Sequence, residues 1–201
     1  MIAQSKGTKL KITFPFAAVV TAMLLCCDEK VVLLCFTSSL FHECGHLLFM
    51  YLFGDIPSLI EFGVFGIRIE RTQKKNIPYK KEALIALGGI FINLPVALWG
   101  IIYYYISGAV TGFEVFFVNA VIASVNMLPV KVLDMGRALE CLLLCFIKPE
   151  KTYRVLDTVS LFSVNAFAVG VVLYTVFSSV NISLIFITLY IYIITVLKKW
   201  S

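Results

Sequence analysis

The chain has 201 residues, 60% of them hydrophobic and 14% charged, with a net charge of +5, and its mean hydropathy is +0.95. A soluble domain is about half apolar and a quarter charged, so too little polar sequence remains here to cover a water-facing surface. The positive charge does not point to nucleic acid, because the basic residues sit between apolar runs and form no single stripe.

The composition describes a polytopic integral membrane protein with apolar runs over roughly 12–27, 31–53, 82–106, 114–147, 156–178 and 181–197. Lys6, Lys9 and Lys11 precede the first run. They give it the look of a signal sequence, but no A-x-A-like cleavage site follows, so the run reads as an uncleaved first helix. The second run carries His42-Glu43-Cys44-Gly45-His46, and these two histidines are the only ones in the chain.

On a helix, His42, Glu43 and His46 fall within about 100° of one another. Two neutral imidazoles one turn apart can bind one metal ion, with Glu43 beside them to take a proton from water. The motif begins about eleven residues into its run, roughly 16 Å deep and close to the bilayer midplane. Polar groups at that depth are costly unless they coordinate, pair or face water. The alternative is a trio that hydrogen-bonds neighbouring helices. Cys44 points about 160° away from His46 and is not counted as a ligand. All six cysteines lie in or beside apolar runs and form no C-x-x-C pair.

The 54–81 connection holds six basic residues, and within it Ile67-Arg68-Ile69-Glu70-Arg71 alternates apolar with polar after Gly63 and Gly66. A short strand pair near the membrane surface is predicted over about 59–71. It offers an edge for an extended peptide to join, or it closes the cytoplasmic side as a surface hairpin. The third run contains Gly88-Gly89-Ile90-Phe91-Ile92-Asn93. The fourth, at 34 residues, is too long for one straight crossing and holds Pro129, Lys131, Asp134 and Gly136 near its middle. It is predicted to break: one helix to about Val125, an irregular stretch, and a second helix from about Met135. Lys and Arg concentrate in the N-terminal stretch, at 54–81, at 148–154 and at Lys198-Lys199, with only Lys30 in the intervening connections. That alternation fits six spans with both termini cytoplasmic.

A catalytic zinc commonly takes three protein ligands. With no third histidine, Asp134 is the natural candidate, as the only acidic residue well inside a run besides Glu43. Glu114, Asp157 and Glu140 are rivals nearer the ends, and an ion pair of Asp134 with Lys131 or Arg137 is the competing explanation.

His42-Glu43-x-Gly45-His46 followed by Asn126-x-x-Pro129-x-x-x-x-Asp134 resembles the site-2 protease family of intramembrane metalloproteases, and Gly89 followed four residues on by Asn93 looks like its looser third signature. The resemblance covers about 31–140. Met135 stands where the family usually has glycine, with Gly136 next, and Ile90 and Ile92 replace a proline and a small residue. The resemblance implies one zinc ion held by His42, His46 and Asp134, with Glu43 as general base and then proton donor. Asn126 is then a substrate-binding residue, or alternatively a cap for broken backbone at Pro129; Arg137 is expected to anchor the second half-helix.

The expected architecture is an all-α polytopic membrane protein of about six transmembrane helices, with a broken fourth span and a small membrane-associated β-hairpin. The whole of 1–201 forms one intramembrane metalloprotease domain, with a catalytic core over about 31–147 and additional helices at 12–27, 156–178 and 181–197. The implied substrate is a single-span or membrane-tethered protein in a lipid bilayer. The compact layout looks most like the bacterial sporulation branch, whose members release a membrane-tethered pro-sigma factor in the bacterial cytoplasmic membrane and are held inactive by membrane partners. Two other classes compete. An ion or metal transporter would also use intramembrane His and Asp, although no paired half-length segments occur in matching halves. A noncatalytic peptide-binding relative would not need Glu43.

Overall fold

The computed structural model describes residues 2–5, 8–63, 66–71, 77–177, 185, 188–193 and 195. The chain opens with two strands, β1 (Ile2–Ser5) and β2 (Thr8–Ile12), and continues into helices α1 (Phe14–Cys26) and α2 (Glu29–Leu52). A hairpin of β3 (Pro57–Gly63) and β4 (Gly66–Arg71) follows, and then helices α3 (Tyr79–Ser107), α4 (Val110–Asn126), α5 (Asp134–Leu144) and α6 (Pro149–Phe177).

Local chemistry sets the helix ends. Pro15 lies in the first turn of α1, where a missing N–H costs nothing. Asp28 caps α2 by accepting the Lys30 and Val31 N–H groups. Gly108 ends α3 in the left-handed region at φ 69°, which leaves one residue before α4 begins.

The predicted strand pair is present within a mostly helical chain, and it is part of a larger sheet than expected. β3 and β4 are half of a four-stranded sheet in the order β1-β2-β3-β4. β1–β2 and β3–β4 pair antiparallel, whereas β2 runs parallel to β3, with Lys9 opposite Leu59 and Ile12 opposite Phe62. The Lys11 ammonium pairs with Glu61 at 2.7 Å, and the Thr13 hydroxyl donates to the Phe62 carbonyl at 2.8 Å. The segment expected to be a basic flank of the first helix is therefore strand. Thr8-Lys9-Leu10-Lys11-Ile12 has the period of two that strands require, and its partner lies some fifty residues away.

Among the described residues, three helices are long and apolar enough to cross a membrane: α2, α3 and α6. α1 has 13 residues, about 20 Å of helix against a hydrocarbon core of about 30 Å. The expected fourth run is two helices, α4 and α5, joined by an irregular stretch over 127–133. The expected run at 181–197 falls largely outside the described residues.

Glycines bring the helices together. α2 and α3 cross where Gly45 meets Gly88; a Cβ added at Gly88 would lie 2.6 Å from the Gly45 carbonyl oxygen. α3 and α4 cross at Gly100 and Gly112 in the same manner, with 2.8 Å in either direction. The irregular stretch does not hang free. Val130 is fully buried with Val164 of α6 and Ile191, and Val125, Leu128, Val132 and Leu133 pack around them. The Lys131 N–H donates to the Ser160 hydroxyl at 2.9 Å, and the Lys131 ammonium reaches Asp157 at 3.2 Å and lies over the Tyr153 ring. Non-helical backbone at membrane depth is tolerated when it is buried in protein in this way.

Candidate metal centre

α2 presents His42 and His46 one turn apart on the face that meets α3. The chain returns through α3 and α4, breaks, and restarts at Asp134, the first residue of α5. The three side chains converge. His42 Nε2 lies 2.9 Å from Asp134 Oδ2, His46 Nε2 lies 3.3 Å from the same oxygen, and the two Nε2 atoms are 3.4 Å apart.

These separations fit a metal. Around a tetrahedral zinc with bonds of about 2.0–2.1 Å, donor atoms sit about 3.3 Å from one another. The His46 Nδ1–H donates to the Ile85 carbonyl at 2.8 Å, and in the neutral ring this leaves Nε2 with a lone pair and no hydrogen. A neutral His46 therefore faces the carboxylate oxygen lone pair to lone pair. Asp134 Oδ2 is buried and faces both histidine Nε2 atoms. A cation between the three atoms turns that repulsion into attraction. His42, His46 and Asp134 are likewise the group of metal-ligating type found among the described residues.

The competing explanations for Asp134 lose their partners. Lys131 is engaged with Asp157 of α6. Arg137 borders the same cavity from the next turn of α5, and no ion pair joins it to Asp134 among the described residues. Glu140 also lines the cavity, and Glu114 is exposed on α4. Cys44 is exposed and lies outside the cavity lining.

The cavity has a volume of about 1080 Å³ and is bordered by Glu43, Asn126, Glu82, Cys141, Arg137 and, from the sheet, Glu61 and Ile69. Glu43 thus opens onto the space that the three donors border. Asn126, the last residue of α4, donates from Nδ2 to the Ile122 carbonyl at 3.0 Å and lines the same cavity. The Asn126 amide nitrogen is thus held one turn back in its own helix, at Ile122 rather than at Pro129.

Two glycines that the motifs contain gain a structural role from contacts the sequence did not reveal. Gly89 stands against the His42 ring; a Cβ there would lie 2.6 Å from both ring nitrogens. Gly136 stands against Val130 and Lys131, where a Cβ would lie 2.7 Å from the Lys131 nitrogen and closer still to the Val130 carbonyl. The close approach that requires a glycine is thus made at Gly136, while Met135 is only half-buried.

No protein-family model and no curated protein matches the sequence. The fold does match a solved structure, that of a site-2 protease from Methanocaldococcus jannaschii, with a TM-score of 0.63 over 96% of this chain and 92% of that one. The two sequences are 18% identical over that match, a likeness of fold.

Proposed function

We propose that this chain is an intramembrane zinc metalloprotease that hydrolyses peptide bonds in membrane-embedded or membrane-tethered proteins. The observation that carries the reading is the convergence of two imidazoles and one carboxylate at tetrahedral spacing, beside a carboxylate that none of them needs as a ligand. The fold shared with a site-2 protease supports it.

His42, His46 and Asp134 would hold the zinc, which when bound supplies Lewis acidity and lowers the pKa of water toward neutrality. Glu43 accepts the proton of the attacking water and delivers it to the leaving amide nitrogen. Asn126 holds the substrate strand or its scissile carbonyl by the part of its amide left over from the Ile122 bond. The buried walls of the site keep bulk water to the cavity, so polar contacts there act at low dielectric. Six spans with both termini cytoplasmic is the membrane topology we assign, on the alternation of basic residues between apolar runs.

Within this class we place the chain in the branch that releases a membrane-tethered pro-sigma factor in the bacterial cytoplasmic membrane, under membrane regulatory partners. What supports that placement is the compact layout with the metal motif in the second apolar run.

The test is Glu43→Gln co-expressed with a single-span reporter. Zinc retained with cleavage abolished is the expected result. Unchanged cleavage ends the protease reading, and Glu43-dependent metal flux without proteolysis replaces it with transport. A pro-sigma factor left intact by an enzyme that cuts other reporters removes the branch assignment alone.

A further inference from the structure

The two histidines are not equally supported. The Nδ1 of His46 is held by the Ile85 carbonyl, whereas the Nδ1 of His42 is buried and has no hydrogen-bond partner among the described residues. A buried N–H without an acceptor costs about 1–3 kcal/mol, and a metal-ligating histidine normally gives its second nitrogen to an acceptor that fixes tautomer and ring orientation.

The acceptor's place is set by helix register. His46 meets Ile85, Gly45 meets Gly88 and His42 meets Gly89, so α2 and α3 run antiparallel past one another. One turn further along α3 is Asn93, on the face that Gly89 presents to the His42 ring. A helical side chain leans toward its own N-terminus, which carries the Asn93 carboxamide back over the bare backbone of Gly89. Asn93 is 0% exposed, and neither its Oδ1 nor its Nδ2 has a partner among the described residues. The same step along α2 leads from His42 to Ser38, whose hydroxyl accepts from Asn119 Nδ2 of α4 at 3.0 Å. Asn119 is itself buried and its Oδ1 is likewise unpartnered. Helix register therefore carries a small set of polar residues from three helices to within about one turn of the His42–Gly89 contact, inside an apolar bundle where unpaired amides are expensive.

We propose that Asn93 is a positioning residue for His42: its carboxamide oxygen accepts the Nδ1–H through one buried water and turns Nε2 toward the metal. The inference rests on the metal reading of His42, His46 and Asp134.

The experiment is zinc competition against a chelator in purified, detergent-solubilised protein, with cobalt substitution as a second readout. Asn93→Ala that elutes as a folded monodisperse species should bind zinc about 10–100-fold more weakly, with shifted cobalt absorption bands. Asn93→Asp, which restores an acceptor, should return the affinity to that of the unsubstituted protein. Unchanged affinity and bands in Asn93→Ala, or an Asn93→Asp no better than Asn93→Ala, overturn the proposal. Should Asn93→Ala fail to fold, Asn93→Asp decides alone: retained affinity supports the role and lost affinity refutes it. An unsubstituted protein that takes up no zinc removes the metal reading itself, a different failure from equal affinities in protein that does bind it.

Discussion

Asp134 is the residue on which the centre depends most directly, because it is the only donor that α2 does not supply. With it removed, two imidazoles one turn apart remain, a much poorer site than a three-donor set. Asp134→Ala should lose most of its zinc on dialysis against a weak chelator, measured by elemental analysis. Full zinc occupancy would mean that another group is the third ligand. The sequence made this residue legible through chemistry alone, as an acid inside an apolar run with no third histidine available. It did not reveal why Met135 can stand where a glycine is usual, because that depends on where the Val130 backbone passes. The close approach is at Gly136.

Between elements, the decisive feature is the seam of α2 against α3. Gly45, Gly88 and Gly89 let the backbones approach closely enough for Ile85 to receive the His46 N–H and for the His42 ring to lie on bare helix. A side chain in that seam must push the helices apart or displace the ring. Gly89→Val should lower zinc affinity more than it lowers the melting temperature of the zinc-free protein, whereas Gly100→Val, at the α3–α4 crossing, should do the reverse. Equal effects on both quantities in the two variants would contradict this division. Helix identities were readable from apolar runs, and the break in the fourth run from its proline, charges and length. The seam was not readable, since it depends on which residues of two separate helices fall opposite one another. β1 and β2 were missed for a related reason. Lys9 and Lys11 carry the charge expected of a cytoplasmic flank, and the strand they belong to is stabilised by pairing with residues remote in sequence.

For the whole molecule, the proposed function makes the cavity the route by which water and peptide would reach the site, and its border includes both the sheet and Cys141 of α5. β3 and β4 belong to the connection richest in basic residues, and the topology proposed above would put the mouth on the cytoplasmic side. A charged, membrane-impermeant thiol reagent added to inside-out vesicles should modify a variant retaining only Cys141 and inhibit cleavage. A variant retaining only Cys44, exposed on the helix flank away from the cavity, should react slowly and keep its activity. Rapid modification of Cys44 with Cys141 untouched would place the aqueous opening elsewhere.

The parallel ladder between β2 and β3 has a consequence of parity. Strands that share backbone hydrogen bonds occupy one side of a bilayer, so the chain between them traverses that bilayer an even number of times. Only α1 and α2 lie between them. α2 therefore cannot be a solitary traverse: if it carries its two histidines through the membrane, the 13-residue α1 must make the opposite journey. A helix of about 20 Å does so only where the lipid is thinned or where its extended flanks complete the distance. The first dozen residues thus act as an accountant for the topology, independently of where the lysines fall.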